Sequence, residues 1–117
     1  MNIESLRNYC IEKKGVTEEF PFGDSVLVFK VMGKMFVLAP VEDFTSVNLK
    51  VDPADGVERR DAYPAVQPAY HMNKKHWVTV LMDGTIPDKL LRQWIDESYG
   101  LVASKLTKSE KSALESM

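Results

Sequence analysis

Apolar side chains recur along the first part of the chain at the spacing of a helix. Ile3, Leu6 and Cys10 follow one another at intervals of three and four residues, so they share one face of a helix predicted over residues 2–14. Asn2 precedes this run and is a good N-cap residue. Because Cys10 falls on the apolar face, we expect it to be a core thiol rather than a reactive one.

The pattern then changes to the alternation of β-strands. The stretch SVLVFKVMGKMFVLAPV, residues 25–41, predicts a β-hairpin, since two apolar runs flank Gly33-Lys34 and glycine supplies the positive φ of a tight turn. In TSVNLKV, residues 45–51, every second residue from Val47 is apolar and the residues between are polar. This alternation predicts a strand in a sheet with one covered and one solvated face. Residues 15–25, GVTEEFPFGDS, are predicted to form a loop.

The middle of the chain predicts one helix and two more strands. DPADGVERRDAY, residues 52–63, has Asp52 as N-cap and Pro53 at the first helical position, which favours a short helix. Strands are predicted near residues 66–72 and 75–82, around a turn at Asn73-Lys74. Pro68 indicates that the first of them lies at an edge or in a bulge.

Helical spacing returns at the end of the chain. A long helix is predicted from Pro87 to about Val102, with Trp94 in its wide apolar stripe. Thr107 and Glu110 form a capping box that predicts a short terminal helix. The element order is α-β-β-β-α-β-β-α plus this terminal helix. It predicts a two-layer α+β sandwich, in which helices pack on one face of a mainly antiparallel, five-stranded sheet.

Composition is that of one globular domain spanning residues 1–117. Hydrophobic residues make up 44% and charged residues 27% of the chain. The single cysteine excludes an internal disulfide, which suits a reducing cytoplasm, and we expect a cytoplasmic protein. No apolar run is long enough for a membrane helix, and MNIESLRNYC lacks the basic and apolar regions of a signal peptide, so no membrane partner is expected.

Four stretches occur in an order and spacing that resemble a known family: PFGDSVLVFKVMGKMFVLAP, NLKVDP, YHMNKKHWVTV and DESYGLV. The chain resembles the MmcQ/YjbR family of small bacterial proteins over residues 3–108, and the most specific part is His71-Met72-Asn73-Lys74 followed by Trp77. The resemblance implies a fold similar to bacterial frataxin (CyaY) and to type III secretion chaperones. It also implies DNA binding through a double wing of hairpins, and no enzymatic reaction is established for the family as a class.

The residues themselves favour neither a metal site nor catalysis. His71 and His76 lack the further cysteines or carboxylates that would complete a zinc site. Cys10 has no neighbouring base and orienting group in the sequence pattern, and there is no glycine-rich phosphate loop. We therefore expect no catalytic residue, no metal and no cofactor.

Nucleic-acid binding must depend on a local patch, because the net charge is −2. Basic residues near the two predicted hairpin tips are suited to phosphates, and nearby aromatic rings to bases. The candidate residues are Lys30, Lys34, Lys50, Arg60, His71, Asn73, Lys74, Lys75 and Trp77, and Tyr70 adds a further aromatic surface. Binding of this kind would be weak and sensitive to salt.

A second hypothesis is a protein-interaction or chaperone-like module. Val26, Val28 and Met32 alternate along the first strand of the hairpin and are predicted to share an apolar sheet surface. Such a surface would suit a protein partner or a weak homodimer.

Overall fold

In a computed structural model that describes all of residues 1–117, the chain forms four helices and six strands. The helices are α1 (Ile3–Ile11), α2 (Pro53–Ala62), α3 (Asp88–Ser104) and α4 (Lys108–Glu115). The strands are β1 (Val16–Glu19), β2 (Val26–Val31), β3 (Lys34–Pro40), β4 (Ser46–Lys50), β5 (Val66–Pro68) and β6 (Trp77–Leu81). The predicted α+β class is confirmed, and none of the helices is long and apolar enough to cross a membrane.

The sheet has six strands in the order β1-β2-β3-β4-β6-β5, and every neighbouring pair is antiparallel. The prediction of five strands is therefore wrong, because β1 lies within the segment predicted as a loop. Because Glu18 and Glu19 are both polar, this segment lacks the apolar alternation by which strands are predicted. In the fold the two glutamates make ion pairs, Glu18 with Arg7 of α1 at 2.6 Å and Glu19 with Lys30 of β2 at 3.2 Å. These ion pairs suit an edge position, where charged residues also discourage pairing with other chains.

The predicted turn at Asn73-Lys74 is part of a longer loop, residues 69–76, that joins the short outer strand β5 to β6. Asn73 organises this loop. Its carbonyl oxygen accepts hydrogen bonds from the backbone N–H groups of His76 and Trp77, at 3.1 and 3.0 Å. Its side-chain Oδ1 accepts another from the N–H of Lys75 at 2.9 Å, which forms an Asx turn. The edge position that Pro68 indicated is confirmed.

Helices α1 and α3 pack on one face of the sheet around the main hydrophobic core. Fully buried members include Leu6 and Cys10 of α1, Phe29 of β2 and Ile95 of α3. Trp94 is also buried there, as its place in the apolar stripe predicted. The opposite face carries a second, smaller cluster, in which loop 69–76 covers part of the sheet. Its members are Val28, Leu38, Ala69 and Trp77.

A β-bulge in β3 interrupts the regular pairing between the central strands. Phe29 and Lys30 are consecutive on β2 but face Val37 and Met35 on β3, so Phe36 is an extra residue. The paired register of β3 with β4 ends at Val37 and Leu49. Beyond it, the buried hydroxyl of Ser98 on α3 joins the two strands: it donates to the Phe36 carbonyl at 2.6 Å and accepts from the Lys50 N–H at 2.9 Å.

Replacing Ser98 with alanine should destabilise the protein by about 1–3 kcal/mol, because it leaves a buried carbonyl and an N–H group without a partner. Urea unfolding followed by circular dichroism measures the change. Ser104→Ala, on an exposed position of the same helix, is the control and should alter the free energy of unfolding by less than about 0.5 kcal/mol. Equal effects of the two substitutions would contradict the bridging role of Ser98.

Burial also lowers the reactivity expected of the Cys10 thiol. Desolvation is the main cause that raises the pKa of its thiol to about 12, and the Asp96 carboxylate adds to the rise. Compared with the ordinary thiol pKa of 9.0, this lowers the thiolate population by roughly 1,000-fold. Ellman's reagent at about pH 8 should therefore label the native protein far more slowly than the urea-unfolded protein. Rapid labelling of the native protein would show that Cys10 is accessible.

Candidate nucleic-acid interface

One end of the sheet gathers lysines from distant parts of the sequence. Lys34 begins β3 after the β2–β3 turn, and Lys50 ends β4 opposite Trp77, the first residue of β6. Helix α3 ends at the same place and adds Lys105. These residues surround an open cleft of about 430 Å³, the lysine cleft, which is lined by Gly33, Lys34, Met35, Lys50, Trp77, Val102 and Lys105.

No carboxylate lines the lysine cleft, although Lys50 also borders the neighbouring cleft that contains Asp55 and Glu97. Partial burial is the main cause that lowers the pKa of Lys50, and the nearby positive charge of Lys105 lowers it further. The Lys50 Nζ lies 5.5 Å from the centroid of the Trp77 ring, a cation–π contact. Hydrogen bonds from Thr107 are the main cause that lowers the pKa of Glu110 on α4, and the charge of Lys34 lowers it further, so this carboxylate offsets part of the charge of Lys34. An anion in the cleft would relieve the repulsion between the lysines.

Trp77 forms the base of this cleft rather than a stacking surface. Only 6% of its surface is exposed, and it packs against Val28, Leu38 and Ala69 in the smaller cluster. Its contribution is therefore to hold the cleft in shape and to support the ammonium group of Lys50.

Loop 69–76 presents the exposed aromatic and basic groups. Tyr70 is 67% exposed, and the Lys74 Nζ lies 5.6 Å from the centroid of its ring. His71 and Lys75 are exposed beside them. Asn73 is exposed as well, but its Oδ1 and its carbonyl oxygen hold the turn, so its role is to shape the loop.

Two of the predicted basic residues do not join this set. The Lys30 ammonium is paired with Glu19 on β1. Arg60 lies on α2, in a stretch that also exposes Glu58 and Asp61, and it does not line the lysine cleft. Lys105 belongs to the cleft but was not among the predicted residues. No local pattern marks it, because only the packing of α3 on the sheet brings it to Lys50.

The apolar surface considered for a protein partner is mostly occupied by the chain itself. Val28 is fully buried beneath loop 69–76. Met32 does not continue the strand, since it lies in the β2–β3 turn with a φ of 49° and packs against the main core. Val26 is the remaining member, and it packs against the smaller cluster.

Solved structures closely match the fold of this chain. The crystal structure of Deinococcus radiodurans protein DR2400, with the domain DUF419, superposes with a TM-score of 0.90 at 45% identity, covering 97% of this chain and 88% of that one. A crystal structure of a Pseudomonas syringae protein gives a TM-score of 0.73 at 27% identity, covering 87% of this chain and 99% of that one.

Sequence relatives agree with the structural match. The uncharacterized protein YbdF of Escherichia coli O157:H7 is 37% identical over 92% of this chain and 89% of its own length. The uncharacterized protein YjbR of Escherichia coli strain K12 is 30% identical over 97% of this chain and 98% of its own length. The sequence profile of the YjbR family matches residues 11–101. The chain therefore belongs to the YjbR family.

Proposed function

We propose that this protein binds nucleic acid without catalysis, and that it holds the phosphate backbone through the lysine cleft and loop 69–76. The observation that carries the proposal is the convergence of Lys34, Lys50 and Lys105 on a cleft that no carboxylate lines. Lysine ammonium groups act as point charges toward phosphate oxygens. Lys74 and Lys75, on the loop that borders Trp77, extend the positive surface.

The acidic balance of the whole chain does not oppose this function. The net charge of −2 describes the sum of all groups, whereas a polyanion senses the local potential, which solvent and salt screen beyond about 10 Å. Carboxylates concentrate instead along α2 and α3, where Asp55 and Glu97 line the neighbouring clefts. A phosphate backbone would be attracted to the end of the sheet and repelled from the groove between these helices.

The resemblance to the MmcQ/YjbR family supports the same function, because DNA binding by two hairpins is the activity suggested for that family. In this chain the two wings correspond to the β2–β3 turn with Lys34 and to loop 69–76 with Lys74 and Lys75. Few lysines are involved, so affinity should be modest and should fall steeply as salt concentration rises.

The double substitution Lys34→Ala/Lys105→Ala should weaken binding to a fluorescent oligonucleotide by about tenfold at about 50 mM salt. It should also make the slope of log affinity against log salt shallower by about 1.5, because two phosphate contacts are lost. Fluorescence anisotropy across a salt series measures both quantities.

The matched control is Lys14→Ala/Lys89→Ala, which removes the same number of charges from exposed positions outside the lysine cleft. This control should keep the affinity and the salt slope of the unmodified protein. Equal losses of affinity in the two variants would show that binding depends on the overall charge of the protein and not on the lysine cleft. Absence of any binding tighter than about 100 µM at low salt would overturn the proposed function.

A further inference from the structure

A second cleft lies beside the lysine cleft, on the sheet face that points away from the main helices. Strands β4 and β6 contribute Ser46, Asn48 and Thr79, and loop 69–76 closes it with Tyr70, His71 and Met72. We call it the sheet-face cleft. Its strand residues are polar and Ala69 and Met72 add apolar surface, whereas the neighbouring part of the same sheet face, formed by Val28, Leu38 and Trp77, is wholly apolar.

The two clefts lie at alternate residue pairs of β4 and β6, on the same face of the sheet. Lys50 pairs with Trp77 at the lysine cleft, and Asn48 pairs with Thr79 at the sheet-face cleft. Residues two apart on a strand project from the same face, separated by about 6.5–7 Å. A nucleotide connects its base to its phosphate through one sugar, so a strand with a phosphate near Lys50 can place a base beside Asn48.

Hydrogen bonding within the chain fixes what this cleft offers. The Thr79 hydroxyl donates to Asn48 Oδ1 at 2.5 Å, which commits the amide oxygen and leaves the Nδ2 hydrogens without a partner in the chain. Asn48 therefore acts as a donor toward a ligand. The Ser46 hydroxyl and the His71 ring also have no partner in the chain, so they add polar groups at the rim.

The size and the rim of the cleft suit one base. Its volume is about 180 Å³, below the roughly 300–1,000 Å³ of sites for drug-sized ligands. The largely exposed ring of Tyr70 offers a face for stacking, which is the usual way that proteins hold an unpaired base. A base within a duplex is stacked on its neighbours and cannot enter such a cleft without being extruded.

We infer that the sheet-face cleft binds a single unpaired base of a nucleic-acid strand. It prefers thymine or uracil, which present carbonyl acceptors, to adenine, whose amino group would find the Asn48 Oδ1 already engaged by Thr79. The inference rests on the proposed function, since the lysine cleft supplies the phosphate contact. Asn48 and Tyr70 contact the base, and Thr79 is a positioning residue that orients the Asn48 amide.

The test compares fluorescent oligo(dT) and oligo(dA) of about 12 nucleotides, and a duplex of the same length, by anisotropy at low salt. The unmodified protein should bind oligo(dT) about fivefold more tightly than oligo(dA), which corresponds to one hydrogen bond. Asn48→Ala should bring this ratio close to one while affinity for oligo(dA) stays within about twofold. Asn8→Ala, at an exposed position on α1, is the matched control and should keep the ratio.

A direct readout comes from the side-chain amide of Asn48 in ¹H–¹⁵N NMR spectra, assigned by its loss in Asn48→Ala. Oligo(dT) should shift this resonance, and inorganic phosphate should not. Thr79→Val should lower the dT-to-dA ratio without changing the salt slope, since it frees the amide to rotate but removes no charge.

The outcomes separate the two proposals. Failure to bind any oligonucleotide overturns the proposed function and the base site with it. Binding with an unchanged ratio in Asn48→Ala, or tighter binding to the duplex than to oligo(dT), overturns the base site alone. Thymidine monophosphate binding as tightly as oligo(dT) would overturn the assignment to a strand, because the lysines would then add nothing beyond one phosphate.

Discussion

The hydroxyl of Ser98 is the contact on which the arrangement of the central strands depends. The extra residue Phe36 breaks the register of β3, and regular pairing with β4 stops after Val37 and Leu49. Ser98 then bridges the Phe36 carbonyl and the Lys50 N–H, so α3 is fastened to both strands at the place where they part. Because α3 is held there, its last turn carries Lys105 to Lys50, and a cleft opens over Trp77. Without Ser98, the bulge would leave polar backbone groups buried without partners. With Ser98, the same bulge helps to bring the lysines together at this end of the sheet.

The conformation of loop 69–76 depends instead on the turn that the hydrogen bonds of Asn73 hold in place. The backbone of this turn directs His76 and Trp77 into β6, so the indole is buried between loop and sheet. The same turn leaves Tyr70, Lys74 and Lys75 exposed. Within YHMNKKHW, Trp77 therefore fixes the segment to the sheet, whereas Tyr70 and the two lysines are exposed to solvent. Its histidines do not meet a third ligand, and no group of three or more His, Cys, Asp or Glu side chains in the chain is placed to hold a metal.

Periodicity and capping residues predicted most of the elements, because they act locally. Asn2, Asp52 and Thr107 cap the helices at which the sequence placed them. Strand β1 escaped prediction because its pairing with β2, and not its own VTEE sequence, makes it a strand. Lys105 and the polar rung of Asn48 and Thr79 escaped for a similar reason. They line clefts only because segments far apart in the chain come into contact, and such contacts cannot be inferred from the spacing of residues along the sequence.

In the proposed function, the two clefts divide recognition into parts with different physical origins. Phosphates are the same in every sequence, so the lysines can supply attraction and orientation but no choice between bases. Attraction of that kind weakens as salt rises, since it derives from the release of counterions. The amide of Asn48 is neutral, and the inferred preference arises at short range from its free donor hydrogens and its engaged acceptor oxygen. Because Lys50 and Asn48 are two residues apart on β4 and project from the same face, one nucleotide would be able to contact both. Under this proposal, a chain with a net charge of −2 concentrates at one end of its sheet both the charge that would attract a strand and the groups that would distinguish its bases.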